Sequence, residues 1–197
     1  MKSINVAGSL RTETGKKGTR ELRKGDMIPC VLYGVEKDEN GAPKATAFSV
    51  TNAAVRNLIY SPDIFVVNLS IDGKECKAVL KEIQFHPVKD NILHIDFYQV
   101  TEDKPIVMEV PIKLNGLAEG VKAGGKLALQ ARKLKVNGIY TNIPERVVID
   151  VTNLGLGKKL AVSDIQVEKC KLMNVQDACV AQVKATRASA TATEAAE

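Results

Sequence analysis

The sequence predicts a mostly β protein: two β domains in series, one or two short helices in the first, and a disordered tail. Three observations predict it. Valine, isoleucine and leucine recur in short runs broken by Gly, Pro, Asn and Asp, which is the rhythm of strands and tight turns. The polar, proline-bearing "TEDKP" at 101–105 separates two such stretches. Beyond Lys184 the chain becomes "ATRASATATEAAE", with no large apolar residue and therefore nothing to pack. We read domains at 1–100 and 101–185 and a disordered tail at 186–197.

In the first domain the alternation predicts strands near 2–10, 28–34, 45–50, 64–71, 74–85 and 92–100. Asp72-Gly73 between the fourth and fifth is a strong short hairpin signal. Residues 51–60 read as a short helix, with Thr51 or Asn52 to cap it and Val55, Leu58 and Ile59 as its apolar stripe. A second short helix is expected from near Gly18 over "TRELRK", and 35–44 is a polar loop. In the second domain "IVMEVPIKL", "KLALQARKLKV", "RVVIDV" and "KLAVSDIQV" carry the β rhythm. Glycine-rich "NGLAEGVKAGGK" and "NLGLGKK" lie between them. The halves show no convincing repeat.

Hydrophobic residues make up 45% of the 197 and none is Trp, so the core is built from Val, Ile, Leu and Ala. The net charge of +5 is spread as +2 over residues 1–100, +4 over 101–185 and −1 over the tail, so the chain is no simple polyelectrolyte. The clustering is local: Arg11, Lys16, Lys17, Arg20, Arg23 and Lys24 face only Glu13 and Glu21 between positions 11 and 24. Cys30, Cys76, Cys170 and Cys179 form no C-x-x-C pair and have two histidines to join them, which argues against a zinc site. Cys30 and Cys76 sit among alternating apolar residues, where a buried thiol is expected. "MKSINVAGSL" has no apolar h-region and no run suits a membrane helix; with reduced thiols this predicts a cytoplasmic protein without a membrane partner.

Three constellations carry chemistry. In the basic segment Gly15 and Gly18 bracket Lys16-Lys17, so backbone there can approach a phosphate, and Arg20 and Arg23 share one face of the expected helix. Arginine suits bidentate phosphate contacts and lysine supplies point charge, although a solvated basic loop has the same composition. The second is "ILHIDFY": Leu93, Ile95 and Phe97 face one side, His94, Asp96 and Tyr98 the other. Phosphates repel a carboxylate, so Asp96 should address base donors or orient an arginine such as Arg11. The plain alternative is an ordinary polar strand face. Third, Tyr33 ends an apolar strand beside Gly34, placed either to pack on a ribose or base or to close the core; Gln84, His86 and Lys89 add a polar turn leading into the His94 strand. No catalytic equipment is evident: there is no G-x-S-x-G, and Leu127 follows Lys126 where a phosphate loop needs Ser or Thr. No cofactor, metal or catalytic residue is expected.

The chain resembles the family of bacterial large-subunit ribosomal protein number twenty-five, in its long two-domain form, also called the CTC or general stress type. The resemblance rests on Arg11, "GKKGTRELRK", Pro29 and "VLYG", then "HPVKDNILHIDFYQV", then "EVPIKLNGLAEGVKAGGKL" and "NIPERVVIDVTNLGLGKKLAVSDI", and covers nearly the whole chain. It implies that the first domain is a small β-barrel binding 5S rRNA and that the protein is part of the large ribosomal subunit. It also implies that Arg11, Arg20, Arg23, Tyr33, His94 and Asp96 contact RNA, with Lys16, Lys17, Gln84 and His86 as secondary positions. The partly acidic "EKDENGAPK" and the lack of a long acidic tail depart from the pattern. What the second domain touches is left open by the sequence: rRNA, a neighbouring ribosomal protein, or nothing essential. Competing functions are an RNA-binding module of the tRNA anticodon-binding type, a stress-related protein-binding scaffold and, more distantly, a hydrolase using Cys30 or Cys179.

Overall fold

The structure, a computed structural model, describes residues 1–13, 15–34 and 44–186. Most of the expected loop at 35–44 and all but the first residue of the expected disordered tail lie outside these. The described chain is mostly β and forms two compact units. One comprises Met1–Ile106 with Ile139–Thr141; the other comprises Val107–Gly138 and the chain from Asn142 onward.

The first unit is a closed six-stranded barrel. Its strands are β1 (Lys2–Leu10), β2 (Met27–Tyr33), β3 (Thr46–Thr51), β4 (Phe65–Ile71), β5 (Lys74–Phe85) and β6 (Ile92–Gln99). Around the barrel they run β1-β3-β2-β6-β5-β4 and back to β1. The pairs β1/β4 and β2/β6 are parallel and the others antiparallel. Alternation puts one side chain in two inside. Phe48 and Phe97 meet there with ring centroids 5.7 Å apart, among Cys30, Val67, Leu69 and Ile95. Burial pushes the Cys30 thiol up to about 12 against a smaller opposing pull from Arg11, so Cys30 is core and no nucleophile. Asp72 and Gly73 both adopt left-handed φ, 45° and 85°, as the β4–β5 hairpin requires.

Helix α1 (Gly15–Lys24) precedes β2, and α2 (Asn52–Ile59) follows β3. α1 begins three residues before Gly18, where the sequence placed its start, so Lys16 and Lys17 lie in its first turn. α2 buries Val55 and Leu58 into the barrel core. Thr51 holds the N-cap position without a side-chain bond. The helix start is tied instead to Asp26, whose carbonyl takes Asn52 N–H at 3.1 Å and whose Oδ1 takes Asn52 Nδ2 at 3.2 Å.

The second unit holds a four-stranded sheet and a three-stranded one. The first is ordered β10-β7-β9-β12, from β7 (Ile106–Asn115, whose first residue groups with the barrel), β9 (Lys133–Gly138), β10 (Val147–Asp150) and β12 (Lys171–Leu172). The second is ordered β11-β13-β8, from β8 (Lys126–Leu129), β11 (Lys159–Ala161) and β13 (Cys179–Lys184). The expected single stretch "KLALQARKLKV" thus divides between two sheets, and β12 and β13 are additions to the expected set. The glycine-rich segments are packing devices. The short helix α3 (Glu119–Lys122) presses Gly120 onto Gly155 and Leu156, and Gly120 N–H donates to Leu154 O at 2.9 Å.

At the end of β10, the Asp150 carboxylate accepts from Thr152 N–H at 2.9 Å and from its hydroxyl. These bonds, the hydroxyl's first, hold the Asp150 carboxyl below the usual carboxylate range. With the folded value depressed, the stabilisation is fully present above the unfolded carboxylate pKa, about 3.9, and is lost as pH falls through the lowered folded value. Asp150→Ala is expected to melt below the wild type at pH 7, and the gap should narrow in acid. Melting temperatures at the two pH values check this; a gap that widens in acid reverses the assignment.

Candidate nucleic-acid interface

The outer face of β6 carries His94, Asp96 and Tyr98, while Ile95 and Phe97 point into the core. Neighbouring strands extend the row. Gln84 of β5 lies opposite His94, and Glu82 opposite Asp96, after a bulge between Leu80 and Glu82. On the other side Tyr33 of β2 lies beside Tyr98, the two rings meeting edge-on with centroids 5.8 Å apart. One patch therefore gathers an imidazole, two carboxylates, an amide and two phenols.

His94 Nδ1 and Asp96 Oδ1 are 2.8 Å apart, and both side chains are about a quarter exposed at 24% and 30%. Asp96 thus orients His94, and not Arg11 as one sequence reading had it. This close contact holds the two side chains together on the outer face. Glu82 and Asp96 side by side form a locally negative spot. Phosphates are repelled there, and groove-edge amino groups, which donate, are suited to it. Burial first, then Asp96, Glu82 and Tyr98, raise the Tyr33 phenol above its ordinary value, so at neutral pH it is an O–H donor.

Beside this patch lies the basic helix. α1 packs on β2. Arg23 reaches across to β6, donating Nε at 3.2 Å and Nη2 at 2.8 Å to the carbonyl of Leu93, the residue before His94. That fork is occupied by the protein itself, so Arg23 positions the helix against the reading row and has less left for a phosphate than its sequence position implied. Lys16, Lys17 and Arg20 are exposed, and none forms an ion pair among the described residues. The first turn of α1 holds two lysines and no acid. Cations at a helix N-terminus oppose its dipole, and an anion bound there relieves the repulsion.

Gly18 has a different use from the one its spacing suggested. It is buried, and a Cβ there would come within 3.2 Å of the Glu13 Cβ and carbonyl oxygen, so the missing side chain lets α1 sit on the strand exit. Arg11 shares a cavity lining with α1 residues Gly18, Glu21 and Leu22. Its main-chain N–H continues the β1/β3 ladder to Ala47 O, its Nη2 donates to Glu13 O at 3.1 Å, and its Nε is buried without a partner among the described residues. It lines a cavity of about 430 Å³ with Glu13, Glu21, Leu22 and Met27. His86 turns inward on its own loop: Nδ1 accepts from Val88 N–H and Lys89 N–H at 3.2 Å each, so the ring shapes the β5–β6 turn. Of the sequence-predicted residues the structure brings together Gln84, His94, Asp96, Tyr33 and Arg23, with Lys16, Lys17 and Arg20 on the adjoining helix. Glu82 was missed; its place depends on the bulge.

Among the described residues no group of His, Cys, Asp and Glu is arranged to hold a metal, and no helix is long and apolar enough to cross a membrane. The model of the Ribosomal L25p family matches residues 6–97, and that of the ribosomal protein TL5 C-terminal domain matches residues 105–187. The large ribosomal subunit protein bL25 of Phocaeicola vulgatus is 62% identical over 96% of both chains. That of Bacteroides thetaiotaomicron is 53% identical over 100% of this chain and 99% of its own. The Porphyromonas gingivalis protein is 54% identical over 96% of both. With both family models matched in series and relatives aligned along their full length, the chain belongs to the bL25 family of ribosomal proteins, in its long two-domain form, and is not an enzyme.

Proposed function

We propose that the protein is a structural, ribosome-associated component of the large ribosomal subunit whose N-terminal barrel, residues 1–100, binds 5S rRNA. The observation that carries this is the fork from Arg23 to the Leu93 carbonyl. It fastens a helix with free lysines beside the oriented His94–Asp96 pair, making a phosphate clamp and a reading row parts of one surface. A-form RNA offers a wide, shallow minor groove that a sheet face can approach. Lys16, Lys17 and Arg20 set the register on phosphates; His94, Gln84, Asp96 and Tyr33 address groove-edge donors and acceptors. Arg11 and His86 act behind this surface, through the strand exit and the turn.

Equilibrium binding to 5S rRNA and to tRNA, together with sedimentation with large subunits at physiological salt, tests the reading. Tight 5S rRNA binding with weak tRNA binding is expected. Equal binding to both favours the anticodon-type module, and absence from the subunits favours the scaffold.

The clamp is tested separately. Lys16→Ala with Lys17→Ala is expected to weaken binding to any RNA and to flatten its salt dependence by roughly 0.7–0.9 log units per log salt for each phosphate no longer neutralised. An unchanged slope removes these lysines from the interface.

A further inference from the structure

The three strands of the second unit's smaller sheet carry lysines as their only charges, with Asp164 bonded to the end of β11 through Ala161 N–H. On β13, Val183 is buried and Gln182 and Lys184 point the other way. Lys184 lies directly opposite Lys126 of β8. Gln182 lies between Ala128 of β8 and Lys159 of β11. Lys126, Lys159 and Lys184 are all exposed, and none makes an ion pair among the described residues. No Asp or Glu occurs on any of the three strands.

Like charges directly opposite in an antiparallel pair are destabilising, so the Lys126–Lys184 pairing has a cost. Edge protection accounts for lysines on β8 and β11, which are the outer strands and gain from being unattractive to a further strand. It does not account for Lys184, which is on the central strand. A ligand that carries closely spaced negative charges does account for all three.

We propose that this face is a second RNA-contacting surface, gripping consecutive phosphates of a large-subunit rRNA backbone. It rests on membership of a ribosomal protein family and not on the 5S rRNA reading of the barrel. Neighbouring strands stand about 4.8 Å apart, so the ammonium groups form a compact cluster that one stretch of backbone can span. Lysine is a point charge without base-edge geometry, so the contact positions the domain and does not read sequence. Gln182 and Gln130, whose side-chain amides approach to 3.5 Å, add neutral hydrogen-bonding groups beside the cluster.

The test is amine acylation of the full-length protein, free and in purified large subunits, read residue by residue by mass spectrometry. Lys126, Lys159 and Lys184 are expected to be protected several-fold in the subunit and to regain reactivity when its RNA is digested. Full reactivity in the subunit overturns the proposal, as does protection that survives digestion, which indicates a protein partner. In parallel, K126Q/K159Q/K184Q with an unchanged circular dichroism spectrum is titrated with deproteinised large-subunit rRNA. Its salt slope is expected to be shallower than the wild type's by roughly 2 log units per log salt if all three lysines neutralise phosphates; an identical slope overturns the proposal. A wild-type chain that fails to enter subunits defeats the ribosomal role, while the titration still decides this face.

Discussion

Gly120→Ala is expected to destabilise the second unit strongly. A Cβ at position 120 would stand 2.6 Å from the Gly155 carbonyl carbon and 2.6 Å from Leu156 N, which are backbone atoms with no rotamer to change. Gly120 N–H also donates to Leu154 O, and Gly125 N–H to Gly120 O, so relieving the clash by moving α3 breaks those bonds as well. Overpacking of this kind costs about 3 kcal/mol at the upper end of its ordinary range, a large part of the stability of a small domain. Gly155→Ala is the matched control: its Cβ would meet only the Lys158 Cγ, at an ordinary 3.7 Å. It should be neutral or slightly stabilising, by about 0.4–1 kcal/mol, through the unfolded chain. Hydrogen exchange localises the effect. Amides of β13 should lose protection in Gly120→Ala while those of β6 keep theirs, and unchanged β13 protection defeats the argument.

Asp96→Asn is expected to have the largest effect on RNA recognition. Asparagine keeps the shape and one carbonyl oxygen to lie beside His94, but an N–H₂ donor replaces the second acceptor. If Asp96 faces groove-edge amino groups, binding to 5S rRNA should fall relative to an unrelated duplex by about 1–3 kcal/mol, taking the range for a well-formed edge contact to DNA. The salt slope should barely move, because the same phosphates stay neutralised. If Asp96 faces phosphates, removing its charge strengthens binding instead. Competition binding with a folded Asp96→Asn protein distinguishes the two, and tighter binding removes His94 and Asp96 from the reading row.

Much of this surface was legible in the sequence because a strand's period of two is strict. Once "ILHIDFY" is a strand, His94 and Asp96 must share a face, and Asp72-Gly73 fixes where the preceding hairpin turns. What the sequence concealed depends on contacts between distant residues. Glycines at positions 15 and 18 argue against helix, since each costs about 1 kcal/mol relative to alanine, yet the packing of Gly18 on Glu13 carries α1 through them. The fork from Arg23 to Leu93 joins residues seventy positions apart. Glu82 faces Asp96 only because a bulge shifts the register. In the second domain β13 was missed because Val180, Ala181 and Val183 are all buried, which breaks the alternation.

The closed barrel has a consequence for how the protein is made. Of the barrel's strands β1 is made first; it has as neighbours β3 and β4, and its parallel pairing sets Lys2 against Phe65. The last strand, β6, inserts between β2 and β5. A nascent chain that has not yet delivered Gln99 therefore holds two unsatisfied strand edges at the gap β6 will fill, and both are templates for pairing with another chain. Such high contact order makes folding slow and late. Synthesis interrupted before Gln99 is therefore expected to leave a sticky open sheet rather than a smaller working domain.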